Sequence, residues 1–225
     1  MKINVLVIIP AYNEEKRLGD LLTNLSEIVS LKYVLVVDDG SEDNTAIIAE
    51  RTGCKLIRQN TNKGKGIAIK TGFDYAVENG YNAVITMDAD GQHDPKEISK
   101  FLVYYEKHKT DLIIGTRRLK LSEMPFLRFW VNRLTSLVAS LLSGVRIHDS
   151  QSGYRFIGKK LIKKTDLKTG RFQMETEIII EAARSGLSIG EVPVKTIYFD
   201  QFKSHINPFI DTIRFIRLTL RLLWH

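Results

Sequence analysis

Cysteine is almost absent from the sequence, since Cys54 is the only one in 225 residues. No disulfide framework can form within the chain, which suits a reducing compartment without requiring one. Residues 1–10 are too few for a secretory signal peptide and lack a small-residue cleavage site, so we interpret them as a first strand. The apolar stretch 126–145 is interrupted by Arg128 and Arg133, which argues against a membrane-spanning helix of about 20 mostly uncharged residues.

Several familiar ligand-binding motifs are also missing. The glycine-rich stretch 62–66 lacks the Gly-Lys-Ser/Thr of a Walker loop, and Ile69 stands where the dinucleotide-binding fingerprint has its third glycine. An EF-hand fits poorly because Gly91 directly follows Asp90, where that calcium loop needs another oxygen ligand first. No nucleic-acid-binding motif or basic-aromatic platform is present, so nucleic acid is not expected as a partner.

Charge is distributed unevenly along the chain, whose formal net charge is +7. Residues 1–112 contain 14 Lys or Arg and 17 Asp or Glu, whereas residues 113–225 contain 19 and 9. A basic second half predicts an anionic partner there, either a phospholipid or an acceptor that carries phosphate.

Segments of strand length, most of them apolar, alternate with helical patterns. In chain order these segments are Val5–Ile9, Tyr33–Val37, Lys55–Arg58, Ala83–Met87, Leu112–Ile114, Tyr154–Ile157 and Ile189–Val194. The alternation predicts an α/β fold, with a doubly wound, mostly parallel sheet and helices on both faces. We expect Pro10 to end the first strand, because it has no N–H to donate, and Asn13 to cap the helix that follows.

The stretch 82–94 is the centre of the functional interpretation. Its apolar strand delivers Asp88 and Asp90, and residues two apart in an extended segment project to one side. Ligands of open α/β sheets bind at the carboxyl ends of the strands. Two carboxylates with few other ligands suit Mg²⁺ or Mn²⁺ bound jointly with a substrate diphosphate. Taken alone, Asp-x-Asp-Gly is equally typical of a simple turn.

Polar residues follow other predicted strands as well. Asp38 and Asp39 come after the second strand, where a carboxylate can accept hydrogen bonds from ribose hydroxyls or a base, or instead cap the next helix. Lys65 lies in the glycine-rich stretch 62–66, which opens a helix. Backbone N–H groups at such a helix start, with lysines beside them, can receive phosphate.

Two segments of the second half are basic and amphipathic. Residues 126–145 combine arginines and Trp130 with a wide apolar face, which predicts either a helix in the lipid headgroup layer or a core helix with one wet face. In the tail, residues 207–225, arginines at spacings of three and four lie opposite a broad apolar face. This pattern suits an anionic membrane surface or a partner helix.

Six sequence blocks occur in order between residues 9 and 155. They are I-P-A-Y-N-E-E at 9–15, V-D-D-G-S-E-D-N-T at 37–45, N-K-G-K-G-I-A at 62–68, M-D-A-D-G-Q-H at 87–93, G-T-R-R at 115–118 and D-S-Q-S-G-Y-R at 149–155. Together they resemble the family 2 glycosyltransferases of the GT-A fold, in the dolichyl-phosphate mannose synthase-like, polyprenyl-phosphate glycosyltransferase branch. The stretch K-S-H-I-N-P-F at 203–209 is also similar to that branch.

The resemblance implies roles for the matching positions. The donor nucleotide would contact Pro10, Ala11, Tyr12, Glu14, Asp39, Ala89 and Lys203, beside Asp38 and Lys65. The metal and the donor diphosphate would be surrounded by Asp88, Asp90 and Gln92. The acceptor phosphate would be received by Arg117, Arg133 and Ser136, and Gln151 and Arg155 would line the site near the sugar. The groups expected to act in catalysis are Asp90, Arg117 and Asp149.

The resemblance also implies a domain organisation. Residues 1–206 would form the GT-A domain, with a donor half at 1–118 and an acceptor half at 119–206, and residues 207–225 would form a basic amphipathic helix. Many members of the branch continue into transmembrane helices that this sequence lacks. We therefore expect peripheral attachment at the cytoplasmic face of the membrane, made directly or through a membrane partner protein.

The expected reaction is inverting transfer of a sugar from a GDP-mannose or UDP-glucose type of donor to polyprenyl phosphate. The alternative acceptor is a hydroxyl of a glycan or glycolipid, which would need a carboxylate base. Asp149 is the candidate for that base, with Glu175 or Glu177 behind it. A sugar nucleotidyltransferase should carry a glycine-rich loop after the first strand, where this chain has Pro-Ala-Tyr-Asn. A non-catalytic membrane-recruitment subunit would have little reason to retain both Asp88 and Asp90.

Overall fold

The computed structural model describes residues 3–117, 126–165 and 174–197. Its strands are β1 Val5–Ala11, β2 Val34–Asp38, β3 Lys55–Arg58, β4 Ala83–Thr86, β5 Leu112–Arg117, β6 Arg155–Gly158 and β7 Ile189–Val194. Its α-helices are α1 Leu18–Ser26, α2 Thr45–Arg51, α3 Lys65–Glu78, α4 Ile98–His108, α5 Phe126–Ser143, α6 Lys159–Lys164 and α7 Met174–Arg184. Short 3-10 turns lie at Leu31–Tyr33 and Pro95–Glu97.

The seven strands form one sheet in the order β3-β2-β1-β4-β6-β5-β7. Only β6 runs antiparallel to its neighbours, β4 and β5. The chain moves outward from β1 to β3 and then returns to the other side of β1 as β4, so the order reverses there. The predicted α/β sheet, mostly parallel and mixed, is confirmed. Because β6 is reversed, the residues that precede it lie at the same sheet edge as the ends of β4 and β5.

The sheet is packed on both faces because its central strands are apolar throughout. On one face Leu6 and Ile8 of β1 pack with Ile69 and Phe73 of α3. On the other face the alternate residues, including Ile9, join a second core cluster with α1 and α4. This alternation follows from the two-residue period of a strand, and burial on both faces explains why the sequence reads as continuous apolar runs.

Pro10 lies inside β1 and pairs with Val37, so the expectation that it ends the strand is wrong. Ile8 accepts a hydrogen bond from the N–H of Met87, on the β4 side of the strand. Pro10, two residues later, presents its nitrogen to that same side. Since β4 ends at Thr86, which pairs with Ile8, the missing N–H removes no ladder bond.

Asn13 does not cap α1, which begins only at Leu18. Its backbone is left-handed, with φ 55°, a conformation that asparagine tolerates. Its N–H donates to the Ser41 hydroxyl at 2.9 Å, and its side-chain oxygen accepts from the N–H of Glu42 at 2.9 Å. Asn13 therefore joins the loop after β1 to the loop after β2.

Among the described residues, none of the helices has the length and apolar character needed to cross a membrane. The α5 helix corresponds to most of the predicted amphipathic stretch at 126–145. Both Lys203 and the predicted helix at 207–225 lie outside the described residues. The division of the chain at residues 118 and 206 stays a prediction.

The close packing of α3 against β1 leads to a prediction about stability. A Cβ added at Gly72 would lie 2.6 Å from Cγ2 of Ile8, whereas one at Gly19 in α1 meets only Ile48, at 3.6 Å. We expect Gly72→Ala to lower the free energy of unfolding by about 1–3 kcal/mol through overpacking. Gly19→Ala is the matched control and should leave stability unchanged or raise it by up to about 1 kcal/mol. Urea unfolding measures both, and equal stability of the two variants would contradict the packing argument.

Candidate active site

The site residues expected from sequence gather at one edge of the sheet. This edge contains the carboxyl ends of β1, β2, β4 and β5 and, because β6 is antiparallel, the loop that leads into β6. The loop contributes residues 149–154 between α5 and β6. Ligands of open α/β sheets bind at such an edge, next to the point where the strand order reverses.

The two aspartates after β2 are buried and held by local hydrogen bonds. Asp39 accepts from the N–H groups of Lys63 and Gly64, each at 2.8 Å. One oxygen of Asp38 accepts from the N–H of Ser41 at 3.0 Å, and the other lies 3.1 Å from Nε of Arg58. The structure thus places both residues at the expected edge, with carboxylates that join the loops there.

This arrangement changes the interpretation of the glycine-rich start of α3. The N–H groups of Lys63 and Gly64, which the sequence suggests for phosphate, donate to the Asp39 carboxylate instead. Gly40 makes the approach possible: it has φ 74°, and a Cβ there would lie 2.6 Å from the backbone carbon of Thr61. A side chain at residue 40 would therefore separate the two loops.

The end of β1 offers an open surface beside these aspartates. Pro10 and Ala11 are buried in the strand, whereas the side chain of Tyr12 is exposed. The N–H of Glu14 donates to the Thr45 hydroxyl at 2.8 Å, which fixes the loop against α2. An exposed aromatic ring on a fixed loop can stack with a planar base.

Asp88 follows β4 and makes the shortest ion-pair contact of the site. Its Oδ1 lies 2.6 Å from Nζ of Lys65, at the start of α3, and the same ammonium lies 2.9 Å from Oε1 of Glu175, at the start of α7. Burial alone would raise the pKa of Asp88, but the charge and hydrogen bond of Lys65, together with other positive charges nearby, outweigh it and lower the pKa to about 2. The two carboxylates likewise raise the pKa of Lys65 despite its burial. Asp88 and Lys65 are therefore both charged at neutral pH.

Asp90 and Gln92 lie in the same turn. Oδ1 of Asp90 accepts from the N–H of Gln92 at 2.9 Å. Burial and the negative charge of Asp88 together raise the pKa of Asp90. The backbone oxygen of Gln92 accepts from the N–H of Ile197 at 3.0 Å, which fixes the turn against the segment after β7. Ala89, between the two aspartates, is buried in the core.

His93 holds this turn in place through a hydrogen bond and a ring contact. Its Nδ1 accepts from the N–H of Asp88 at 3.0 Å, and its ring stacks on Tyr154 with 4.8 Å between centroids. Burial lowers the pKa of His93, in spite of Asp88 and Asp90. The ring is therefore neutral at pH 7, and because Nδ1 accepts, the proton lies on Nε2.

Gly153 brings the loop before β6 against the charged cluster. A Cβ built on it would lie 2.6 Å from Oδ2 of Asp88 and 2.8 Å from Nζ of Lys65. Any side chain at residue 153 would displace one of the two charged groups. The contact between Asp88 and Lys65 therefore depends on glycine here.

Arg117 and Asp149 form a buried bidentate ion pair. Nε of Arg117 donates to Oδ2 at 2.7 Å and Nη2 donates to Oδ1 at 2.9 Å. Burial would raise the pKa of Asp149, but the Arg117 guanidinium outweighs it and lowers the pKa. An ionised carboxylate that accepts two charge-assisted hydrogen bonds is a weak base. The pair fixes the orientation of Arg117 at the end of β5.

The other residues predicted to contact the acceptor differ in how far they are buried. Ser136 is buried and accepts from the N–H of Ser150 at 3.0 Å, which groups it with Asp149 and Arg117. Gln151 lies partly exposed in the adjoining turn. Arg133 is exposed, with its guanidinium carbon 5.9 Å from the ring centre of Phe129 on α5.

Arg155 is not exposed in the site, although the sequence predicts that it lines the site near the sugar. It is buried, and its guanidinium donates to the backbone oxygens of Ser150 and Ser152, each at 2.8 Å, and of Glu175. The side chain therefore holds the loop before β6 against the start of α7. This is a structural role that the sequence pattern did not distinguish from ligand contact.

The residues present fit a divalent cation that is shared with a diphosphate. Among the residues described, no three His, Cys, Asp or Glu side chains are arranged to hold a metal ion by themselves. Asp88 and Asp90 are nonetheless close enough for the charge of one to raise the pKa of the other. A cation at this pair would offset that repulsion, and phosphate oxygens would complete its coordination.

Three further residues contribute to the site in ways that the sequence motifs do not predict. His93 and Gly153 lie within two of the motifs, where a histidine three residues after Asp90 and a glycine before a strand are the visible signals. Glu175, expected only as a possible base, pairs with Lys65 and so connects two segments that no local pattern relates.

Comparisons with known proteins agree with this geometry. A model of Glycosyl transferase family 2 matches residues 6–165. The chain is 34% identical over 216 residues to a UDP-N-acetylglucosamine–dolichyl-phosphate N-acetylglucosaminyltransferase of Methanococcus voltae, covering 86% of each chain. It is 31% identical over 201 residues to the polyprenol monophosphomannose synthase of Mycolicibacterium smegmatis, covering 84% of this chain and 76% of that one.

A solved structure has a similar fold. Glucosyl-3-phosphoglycerate synthase from Mycobacterium tuberculosis, in complex with Mn²⁺, UDP-glucose and phosphoglyceric acid, superposes with a TM-score of 0.74. The match covers 99% of this chain and 79% of that one at 19% identity, so it bears on the fold alone. The predicted GT-A type of fold is confirmed.

The buried pair of Arg117 and Asp149 leads to a prediction about pH. Because the pKa of Asp149 is below its ordinary 3.8, its stabilising contribution is complete above about pH 4 and is lost as the pH falls through the lowered value. Arg117→Gln should lower the free energy of unfolding at pH 7 by about 3–5 kcal/mol, because it leaves a buried carboxylate without its cation. The deficit should narrow on acidification, as that carboxylate takes up a proton.

Urea unfolding of the Arg117 variant between pH 7 and pH 3.5 measures this deficit. Arg51→Gln, at an exposed position of α2, is the control and should change stability little at any pH. A deficit that stays constant over the whole pH range would contradict the ion-pair account.

Proposed function

The chain belongs to glycosyl transferase family 2, and from this premise we propose that it transfers a sugar, with inversion, from a nucleotide diphosphate sugar to a polyprenyl phosphate. The observation that carries the proposal is the charged cluster at the end of β4. There the carboxylates of Asp88 and Asp90 lie beside the ammonium of Lys65. A diphosphate together with a divalent cation is the kind of ligand that such a mixed set of charges can hold.

In the proposed reaction an oxygen of the acceptor phosphate bonds to the anomeric carbon. The bond from that carbon to the donor diphosphate breaks, and its electron pair leaves with the nucleoside diphosphate. Mg²⁺ or Mn²⁺, when bound, would offset the charge that develops on the departing diphosphate. Asp88 and Asp90 would hold the cation, with Gln92 beside them, and the position of Lys65 suits contact with a phosphate oxygen. The loop after β1, with the exposed ring of Tyr12, is the proposed position of the base.

The contacts of the acidic residues favour a phosphate acceptor over a hydroxyl. A phosphate monoester is already largely ionised at pH 7, since its second pKa is about 6, and needs no strong base. A hydroxyl acceptor would need one, but Asp149 is bound to Arg117 with a lowered pKa. Glu175 is bound to Lys65. We propose instead that Asp149 orients Arg117 for the acceptor phosphate.

The relatives support a polyprenyl-type phosphate as the acceptor class. The similar proteins include a dolichyl-phosphate N-acetylglucosaminyltransferase and an undecaprenyl-phosphate mannosyltransferase, at 34% and 33% identity. Their names also show that the sugar differs within this set. The proposal therefore commits to a nucleotide diphosphate sugar without choosing between GDP and UDP.

The surface of α5 is suited to approach a lipid. Trp130, Leu134, Leu137 and Leu141 recur at spacings of three and four and are all more than half exposed. Such a stripe can enter the boundary between lipid headgroups and acyl chains. Arg133, on the same helix, is exposed and can meet anionic headgroups. We propose that α5 brings the site to a membrane surface.

Donor binding is tested by thermal unfolding with GDP, UDP and their sugars, with and without Mn²⁺. One nucleotide should raise the melting temperature in a Mn²⁺-dependent way, because ligand binding to the folded state stabilises it. Asp88→Asn should lose the Mn²⁺-dependent part of the rise. Asp74→Asn, outside the site on α3, should keep it. No shift with any nucleotide in the unaltered protein would contradict the proposal.

Membrane approach is tested by two substitutions on α5. Leu137→Glu and Leu141→Glu should reduce sedimentation with phosphatidylglycerol vesicles by about tenfold, because each puts a charge on the apolar stripe. Val103→Glu is the control, because this residue of α4 is 64% exposed, between the values for Leu137 and Leu141. An equal loss of binding in the α4 variant would contradict a specific role for α5.

A further inference from the structure

The ammonium of Lys65 lies between two carboxylates from different parts of the chain. Asp88 is 2.6 Å away and belongs to the loop after β4, while Glu175 is 2.9 Å away and belongs to α7. The side chain of Asp88 is 27% exposed and that of Glu175 only 2%. Lys65 therefore connects an accessible carboxylate to an inaccessible one.

Glu175 is deeply buried, and its position is fixed by contacts with Arg155 and Lys65. Arg155 donates to its backbone oxygen, which fixes the first turn of α7 in front of Lys65. Its Oε1 accepts from Lys65, whereas Oε2 is buried without a hydrogen-bond partner among the described residues. A buried carboxylate is costly unless it is paired, and Lys65 provides that pairing for Glu175. The unpartnered oxygen can accept a further hydrogen bond from the same ammonium.

Lys65 is paired with the Asp88 carboxylate, which a metal ion would need as a ligand. In this structure its ammonium contacts Oδ1 of Asp88, and Gly153 closes over both groups. A cation that binds through this Oδ1 must first displace the ammonium. Without a second partner the displaced ammonium would be left uncompensated at the metal, where like charges repel.

We propose that Glu175 is a positioning residue, which retains the Lys65 ammonium within the site when Asp88 turns to the metal and so presents it to the donor diphosphate. This inference rests on the proposed function, and it concerns only the residues of the donor side. Glu175 would thus affect the affinity of the site for a metal ion through its contact with Lys65. A base, or a residue that only stabilises the fold, would not act in this way.

The test is a double-mutant cycle read by Mn²⁺ affinity, measured from free Mn²⁺ in electron paramagnetic resonance titrations of the full chain without nucleotide or acceptor. Glu175→Gln should weaken Mn²⁺ binding about tenfold, because the displaced ammonium has lost its partner. Lys65→Met should strengthen Mn²⁺ binding about tenfold, because the competing cation is gone, and weaken nucleoside diphosphate binding. In the Lys65→Met background, Glu175→Gln should change Mn²⁺ affinity less than about twofold.

Two further variants keep the cycle interpretable. Glu181→Gln lies on the same helix, where its carboxylate accepts from Ser185, and should not alter Mn²⁺ affinity. Glu175→Asp retains the charge but retracts it, so an intermediate loss is expected even if the glutamine variant fails to fold. An effect of Glu175→Gln that is absent, or equally large with and without Lys65, would overturn the proposal.

The outcome is separable from that of the proposed function. A chain that binds Mn²⁺ and follows the expected cycle, yet transfers no sugar to polyprenyl phosphate, would contradict the acceptor assignment and leave the role of Glu175 supported. A chain that transfers sugar to polyprenyl phosphate normally, but shows additive effects of Lys65→Met and Glu175→Gln on Mn²⁺ affinity, would contradict the role of Glu175. The acceptor assignment would then remain supported.

Discussion

The contact between Lys65 and Asp88 is the interaction on which the rest of the site depends. It places a cation from the start of α3 against a carboxylate at the end of β4, with 2.6 Å between Nζ and Oδ1. Three features serve it: Gly153 leaves the space, Glu175 provides the second anion, and Arg155 fixes Glu175. Charges this close are stable in a partly buried site only when each is compensated, which explains why so many neighbours converge on one pair.

The sheet topology is what makes this convergence possible. In a fully parallel sheet, the residue before each strand lies at the edge opposite to the strand ends. Here the reversed β6 brings residues 149–154 to the edge where β4 and β5 finish. One loop thereby supplies Gly153 to the proposed donor side and Asp149 to the proposed acceptor side, where it binds Arg117. The two halves of the proposed reaction are joined through that loop.

The sheet and the position of the pair Asp88 and Asp90 can be predicted from the sequence, because both depend on local pattern. The bounds of β3 and β7 are those predicted from the sequence, and Asp88 and Asp90 are visible as the residues that follow β4. What the sequence does not predict depends on contacts between distant segments. Pro10 is tolerated only because β4 has ended beside it, and the N–H groups of Lys63 and Gly64 are taken by Asp39 rather than left for phosphate. Neither fact can be read before the segments are brought together.

The most direct test of the central claim is to identify the product by mass spectrometry. The protein would be incubated with Mn²⁺, a polyprenyl phosphate and, in turn, GDP-mannose, UDP-glucose and UDP-N-acetylglucosamine. The account predicts that, with one donor, the lipid gains one sugar residue on its phosphate while one nucleoside diphosphate is released, and that Asp88→Asn forms no such product. No transfer to the lipid phosphate from any of the three donors, or full transfer by Asp88→Asn with Mn²⁺ chelated, would contradict it.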